Sequence, residues 1–248
     1  VEQFGDGQCY STDSQFPRDW KAQDMKMTAL AALAAVSVAF LMPGAAKASD
    51  QQNLVEEARI TMDHLKTDPS FGTAKELLRK ARAVLIVPNL VKAGFFFGGE
   101  GGDGVLLARS GHGTWTDPAF YTLASASFGL QIGIQSAEVI MIIESDRALK
   151  ALEADQFKFG AQAGIAVVTL GASAQAASST ALDTADIIVW SSASGAYAGL
   201  TLEGSLVKPR DSYNEAYYGR PIAVREILNM NEGHNAGANG LRAALAVR

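Results

Sequence analysis

From Ser49 onward the apolar positions follow two periods. Leu54, Ala58, Met62 and Leu65 recur at helical spacing behind Ser49 and Asp50, which offer a polar N-terminal cap, and the helix is expected to stop near Asp68-Pro69. A second helix is expected over residues 73–83, with Leu77, Leu78, Ala81 and Val84 as its apolar face. Pro88 closes the segment Val84-Leu85-Ile86-Val87 behind it. Period two then takes over. Leu130, Ile132 and Ile134 alternate with Gly129, Gln131, Gly133 and Gln135, and Ala198, Leu200 and Leu202 alternate with Tyr197, Thr201 and Glu203. Residues 139–143 are apolar throughout, the pattern of a strand covered on both faces. Residues 164–170 and 187–190 add two more strands. Ser145 caps a short helix reaching Ala154, and Pro221 opens a last helix carrying Ile222, Val224, Ile227 and Leu228. The Ala/Ser-rich residues 172–181 fit either a loop or a strand. Residues 231–248, rich in Gly and Asn at their start, are expected to form a mobile tail.

Strands joined by glycine turns, with helices toward the chain ends, predict an α+β domain over residues 49–230. Its sheet is expected to be curved and mostly antiparallel, or a partial β-barrel, flanked by helices. Residues 92–118 carry the densest signal. Five glycines between Gly98 and Gly104 allow close approach of another chain segment, Val105 to Ala108 reads as a strand, and Ser110-Gly111-His112-Gly113 reads as a hairpin turn. Gly99-Glu100-Gly101-Gly102-Asp103-Gly104 also satisfies the dinucleotide fingerprint. That motif must open a helix, and here a short apolar run leads straight into a turn; Glu100 and Asp103 would in addition oppose phosphate.

Residues 25–48 have the build of a signal peptide: Met25-Lys26, an apolar stretch to Met42, then Ala46-Lys47-Ala48 as a small-x-small cleavage site. Cleavage is expected after Ala48, with a retained anchor as the alternative. Residues 1–24 are polar, precede a better start at Met25, and are expected to stand outside the native protein. They hold the single cysteine, Cys9, so disulfide chemistry is not expected in the exported part. The leader points to export, to the periplasm or an envelope membrane face.

Charge removes one class of function. Beyond Ala48 there are 17 Lys and Arg against 21 Asp and Glu, a net of −4, and no basic block interleaved with aromatics, so nucleic acid is not expected as a partner. Catalytic patterns are equally sparse. There is no Gly-x-Ser-x-Gly, and His64, His112 and His234 lie far apart without metal-ligand spacing. No cofactor, metal or catalytic residue is expected; a hydrolase with an unrecognised site is the least favoured reading.

Six short motifs occur in a fixed order: Ala93-Gly94-Phe95, Gly102-x-Gly104-Val105-x-x-Ala108-Arg109, Trp115-x-x-Pro118, Gln131-x-Gly133, Gly199-x-x-Leu202-Glu203-Gly204 and Asn214-x-x-Tyr217-Tyr218-Gly219. In this order they resemble the SYLF family, over roughly residues 52–230. The resemblance implies a lipid-binding domain, in a family that also includes a yeast actin-binding member. Actin is not expected as a partner of an exported, bacterial-type member. The family's amphipathic lipid-binding helix transfers poorly as well, because Glu56, Glu57 and Asp63 sit on the first helix.

The candidate site is cationic. Lys75, Arg79 and Arg82 stand at i, i+4 and i+7, with Lys80 beside them and Lys92 beyond the next strand, a local positive patch on an acidic chain. Each such charge contributes about 1 kcal/mol near an anionic membrane surface. The same residues also fit a solvated face paired with Glu76 and other acids. Phe95, Phe96 and Phe97 must alternate faces on a strand, so an uncovered side would offer an apolar patch. Phe95, Phe97 and Trp115 are therefore candidate ligand-lining or packing aromatics. The reading is an exported, non-enzymatic domain that binds lipid or a membrane surface; the alternative is an envelope protein-interaction domain.

Overall fold

Helix α1 (Asp50–Thr67) forms where the apolar repeat places it. The Ser49 hydroxyl oxygen accepts the Gln52 N–H at 3.2 Å, and Leu54, Val55, Ala58, Met62 and Leu65 are buried. The computed structural model describes residues 49–94, 97–128, 133–160, 165–170, 179–192 and 204–247. All of these belong to one compact unit, Ala48–Arg248. The expected signal peptide, Phe95, and the expected strand residues Leu130, Ile132, Ala198, Leu200 and Leu202 lie outside the described residues. Among the described residues no helix is long and apolar enough to cross a membrane.

Helix α2 (Phe71–Lys80) starts and stops earlier than expected. Ala81 already has an extended backbone, so Val84 belongs to strand β1 (Ala83–Gly94) and not to the helix face. The strand runs through Pro88 instead of ending there. Proline has no N–H to give a neighbour, and the chain absorbs this with a bulge. Residues 87–90 of β1 span only residues 102–104 of strand β2 (Phe97–Ala108), and residues 88–89 oppose Glu138 alone on strand β4 (Gly133–Ile143). Ala83, Leu85 and Val87 face one core and Leu90, not residue 89, continues that face, so the extra residue resets the alternation.

The bulge explains the glycines opposite it. A Cβ on Gly102 would stand 2.5 Å from the Asn89 carbonyl oxygen, and one on Gly104 would stand 2.5 Å from that of Ile86. The glycine run thus lies within strand β2, and no helix follows it. After the Ser110–Thr114 turn come β3 (Ala119–Phe128) and β4, followed by helix α3 (Asp146–Leu152), capped by Ser145 as expected. The chain continues with β5 (Phe157–Lys158), β6 (Val167–Leu170), helix α4 (Ser179–Thr184), β7 (Ile187–Ser191) and β8 (Leu206–Pro209). Helices α5 (Asp211–Tyr218), α6 (Val224–Leu228) and α7 (Asn239–Leu245) complete it. Pro221 and Ile222 precede α6 and are not part of it.

Among the described residues eight strands form one sheet in the order β5-β8-β3-β2-β1-β4-β7-β6, curled as half a barrel and antiparallel except for β6 beside β7. Both faces are covered. Val84, Ile86, Val105, Leu107, Ile140 and Ile142 meet α1, α2 and α7; Leu85, Leu106, Met141 and Ile143 meet α3 and α6. The apolar run at 139–143 is therefore split between two cores, as its lack of alternation requires. Residues 231–247 of the expected mobile tail are instead built into the fold. Leu241 and Leu245 of α7 are buried, and Gln52 of α1 donates to the Gly237 carbonyl at 3.1 Å.

Asp186 joins the α3 end of the sheet. It accepts from the Ser145 hydroxyl, from Arg147 at 2.6 Å and from the Ala166 N–H at 2.9 Å. Burial works against its charge, but these donors outweigh it and hold the carboxyl below the usual aspartate range. With the folded pKa below the unfolded one, the stabilisation is complete above about pH 4 and fades as pH falls through the folded value. Asp186→Asn is expected to cost about 2 kcal/mol at neutral pH and to flatten the acid limb of stability. Urea midpoints measured from neutral to acid pH check this; an unchanged acid limb counts against the network.

Candidate functional site

The structure places Lys75, Arg79 and Lys80 on α2 and Arg82 two residues past its end. Lys75 is half-buried on the helix, while Arg79, Lys80 and Arg82 are exposed. Arg79 lies 3.5 Å from Glu76, both well exposed, so the pair contributes little. Arg82 stands past the helix end and not on its face, because the backbone turns extended at Ala81; its Nε is 3.2 Å from Asp146. Lys80 acts on Glu144, whose carboxyl is pushed up by burial and drawn down by that lysine. Arg79, Arg82 and Lys80 thus each face one carboxylate, Glu76, Asp146 and Glu144 in turn. Lys92 is elsewhere. It lies ten residues along β1 from Arg82, roughly 30 Å at strand rise, opposite Glu100 on β2 and Gln135 on β4. Of the phenylalanines, Phe95 is outside the described residues, and Phe97 opens β2 with its side chain outside them.

Trp115 is a packing residue. It is buried, its indole N–H donates to the Leu245 carbonyl at 3.1 Å, and the Arg109 guanidinium lies 4.3 Å above the ring. Arg109 itself closes the C-terminal end of α2. Its Nη2 donates to the Leu78 carbonyl (2.8 Å), Nε to that of Ala81 (3.1 Å) and Nη1 to that of Gly113 (2.8 Å). The last turn of a helix leaves carbonyls without partners, and the planar fork satisfies two of them at once. Beside this stack, between the turn and α7, lies a cleft of about 590 Å3 whose walls include Arg109, Trp115, Arg242 and Ala243.

The remaining motif residues are joints. Tyr218 donates to the Pro118 carbonyl at 2.7 Å, and the Asn214 side-chain oxygen accepts the Phe120 N–H at 2.8 Å, so the Trp-x-x-Pro corner is held by α5. Gly219 ends that helix at φ 69°, where glycine is favoured. Asp117, 1% exposed, faces Arg242 at 3.3 Å and His234 at 3.9 Å. Burial pushes its carboxyl up; Arg242, the Asn235 backbone and His234 act in the other direction. Sequence reasoning missed Arg242, which meets the corner only through the fold, while Arg109 was visible as the last letter of the glycine motif. Among the described residues no group of three or more His, Cys, Asp or Glu is placed to hold a metal ion.

The fold and these joints define an α+β domain whose sequence motifs fasten a bulged sheet to its helices. The chain belongs to the Ysc84 (SYLF) family, described as "Las17-binding protein actin regulator", which matches residues 124–247. It is 31% identical over 178 residues to LAS seventeen-binding protein 3 of Saccharomyces cerevisiae, covering 69% of this chain and 39% of that protein. It is 29% identical over 178 residues to Protein YSC84 of the same yeast, covering 69% and 38%. To the SH3 domain-containing YSC84-like protein 1 of Mus musculus it is 29% identical over 153 residues, covering 61% and 44%. The chain spans about two fifths of the length of these curated relatives. These relatives are named for a protein they bind, a domain they contain or their likeness to one another, none for a reaction. No solved structure matches.

Proposed function

We propose that this is an exported, non-enzymatic domain that binds an anionic membrane surface through the end of α2. The observation behind the reading is the run of Lys75, Arg79 and Lys80 along α2 with Arg82 just past its end, the last three exposed, on a chain of net charge −5. The leader expected over residues 25–48 supplies the route to an envelope membrane face.

Co-sedimentation of the full chain with vesicles tests it. Binding is expected to anionic vesicles and not to neutral ones, and to weaken with salt. Lys75→Ala with Arg79→Ala removes about 2 kcal/mol of surface attraction, roughly a 30-fold loss of partitioning at low salt. Equal pelleting with neutral and anionic vesicles, or no loss in the double variant, would falsify the electrostatic reading.

A protein-binding role is the second reading, favoured by a relative named for binding LAS seventeen. Cross-linking in the native envelope separates the two: recovery of one protein partner with no vesicle binding selects the second, and recovery of lipid alone selects the first.

A further inference from the structure

The cleft beside Trp115 has a chemistry that the end of α2 lacks. Its walls are Arg109, Gly113, Thr114, Trp115, Asn239 and Arg242 with a small apolar remainder from α7 and the two residues after it, and no carboxylate stands among these described residues. Arg109 is bonded to three neutral carbonyls, so none of its bonds supplies a counter-charge. Arg242 is offset by Asp117, whereas among the described residues no carboxylate forms an ion pair with Arg109. A guanidinium has five N–H donors. Arg109 commits one from each nitrogen, which leaves two; Arg242 commits one from each terminal nitrogen, to Asp117 and Asn239, which leaves three. Two planar forks and the Thr114 hydroxyl therefore border one space of a size typical of small-ligand sites.

Planar forks match the oxygens of phosphate better than a compact ammonium does. A phosphate monoester presents three free oxygens, enough to take donors from both walls, whereas a diester presents two. The geometry points to this cleft as a binding site for a phosphate monoester, carried on a lipid headgroup or free in solution. For the lipid source the inference rests on the membrane-surface reading, which the cleft then deepens: the end of α2 supplies attraction and the cleft supplies headgroup choice. The two are adjacent, since Arg109 holds the last carbonyls of α2.

The test uses the full chain and phosphatidylcholine vesicles doped either with phosphatidic acid, a monoester, or with phosphatidylserine, a diester, at matched surface charge. Binding to the monoester vesicles is expected to be about tenfold tighter. Ala243 lines the cleft from an exposed position on α7, so Ala243→Glu places a carboxylate there without touching the core. It is expected to abolish the preference and leave phosphatidylserine binding unchanged; Ala246→Lys is expected to strengthen the preference. In parallel, inorganic phosphate and glycerol 3-phosphate are titrated while the Trp115 indole resonance is followed. A shift by glycerol 3-phosphate at concentrations matching the vesicle response assigns the site to soluble esters; a response to vesicles alone assigns it to lipid. A phosphate-induced shift with no binding to either vesicle removes the membrane reading and keeps the cleft. Equal affinity for the two lipids with no shift by either soluble ligand overturns the inference, as does a preference that survives Ala243→Glu.

Discussion

Alanine at Gly104 is expected to destabilise the domain by about 3 kcal/mol, the upper part of the range for forcing atoms into a packed interior. Its Cβ would stand 2.5 Å from the Ile86 carbonyl oxygen and 2.8 Å from a Val87 methyl carbon. Both neighbours belong to the bulged stretch of β1, where Ile86 and Val87 are buried in opposite cores, so neither side has room to yield. The urea midpoint should fall while the slope stays constant. Gly72→Ala is the control of opposite sign. Nothing lies within 4 Å of a Cβ there, and a better helix former in α2 should raise stability by about 0.5–1 kcal/mol. A Gly104→Ala protein as stable as its parent would leave the glycine pair without the explanation offered by the bulge.

Arg109→Ala comes next in size, at about 3 kcal/mol. Each hydrogen bond to a charged donor contributes about 1.5–3 kcal/mol, but three on one head group are not additive. The loss uncaps α2 at Leu78 and Ala81, releases the turn at Gly113, and strips the cation from the Trp115 ring. Arg109→Lys keeps the charge and loses the fork, so it should recover less than half. Amide exchange locates the damage: protection is expected to fall first in the last turn of α2. Uniform loss across the sheet, or full rescue by lysine, would show that Arg109 acts through its charge and not through its shape.

The parts of this fold that could be read in advance are those in which a single local rule decides the outcome. Leu54, Ala58, Met62 and Leu65 fix α1 by spacing alone, Ser145 fixes the start of α3, and the unbroken apolar run at 139–143 needed two cores and received them. Where two rules compete, reading fails. Pro88 signals an end, yet pairing on both sides of β1 carries the strand past it with one extra residue. The glycines of β2 read only as room for another chain segment, because the bulge that demands them belongs to another strand. Helix α7 was hidden by the Gly- and Asn-rich residues before it and by its shortness, since Leu241 and Leu245 span a single turn. The cationic group was legible as a helical spacing through Lys75 and Arg79. Arg82 and Lys92 were not, because the helix stops at Lys80 and the strand carries Lys92 away. Arg242 reaches Asp117 across 125 positions of sequence, a separation no local pattern encodes.

The burial of α7 against α1 bears on how the polypeptide matures. The first helix after Ser49 and the last one before Val247 share an apolar layer, and the Trp115 indole finds its acceptor only at Leu245. Native closure therefore waits for residues 239–245 to emerge from the ribosome, since contacts of such long sequence separation are late and slow to form. Until then the nascent polypeptide keeps part of one greasy side of its sheet uncovered, a state suited to capture by chaperones.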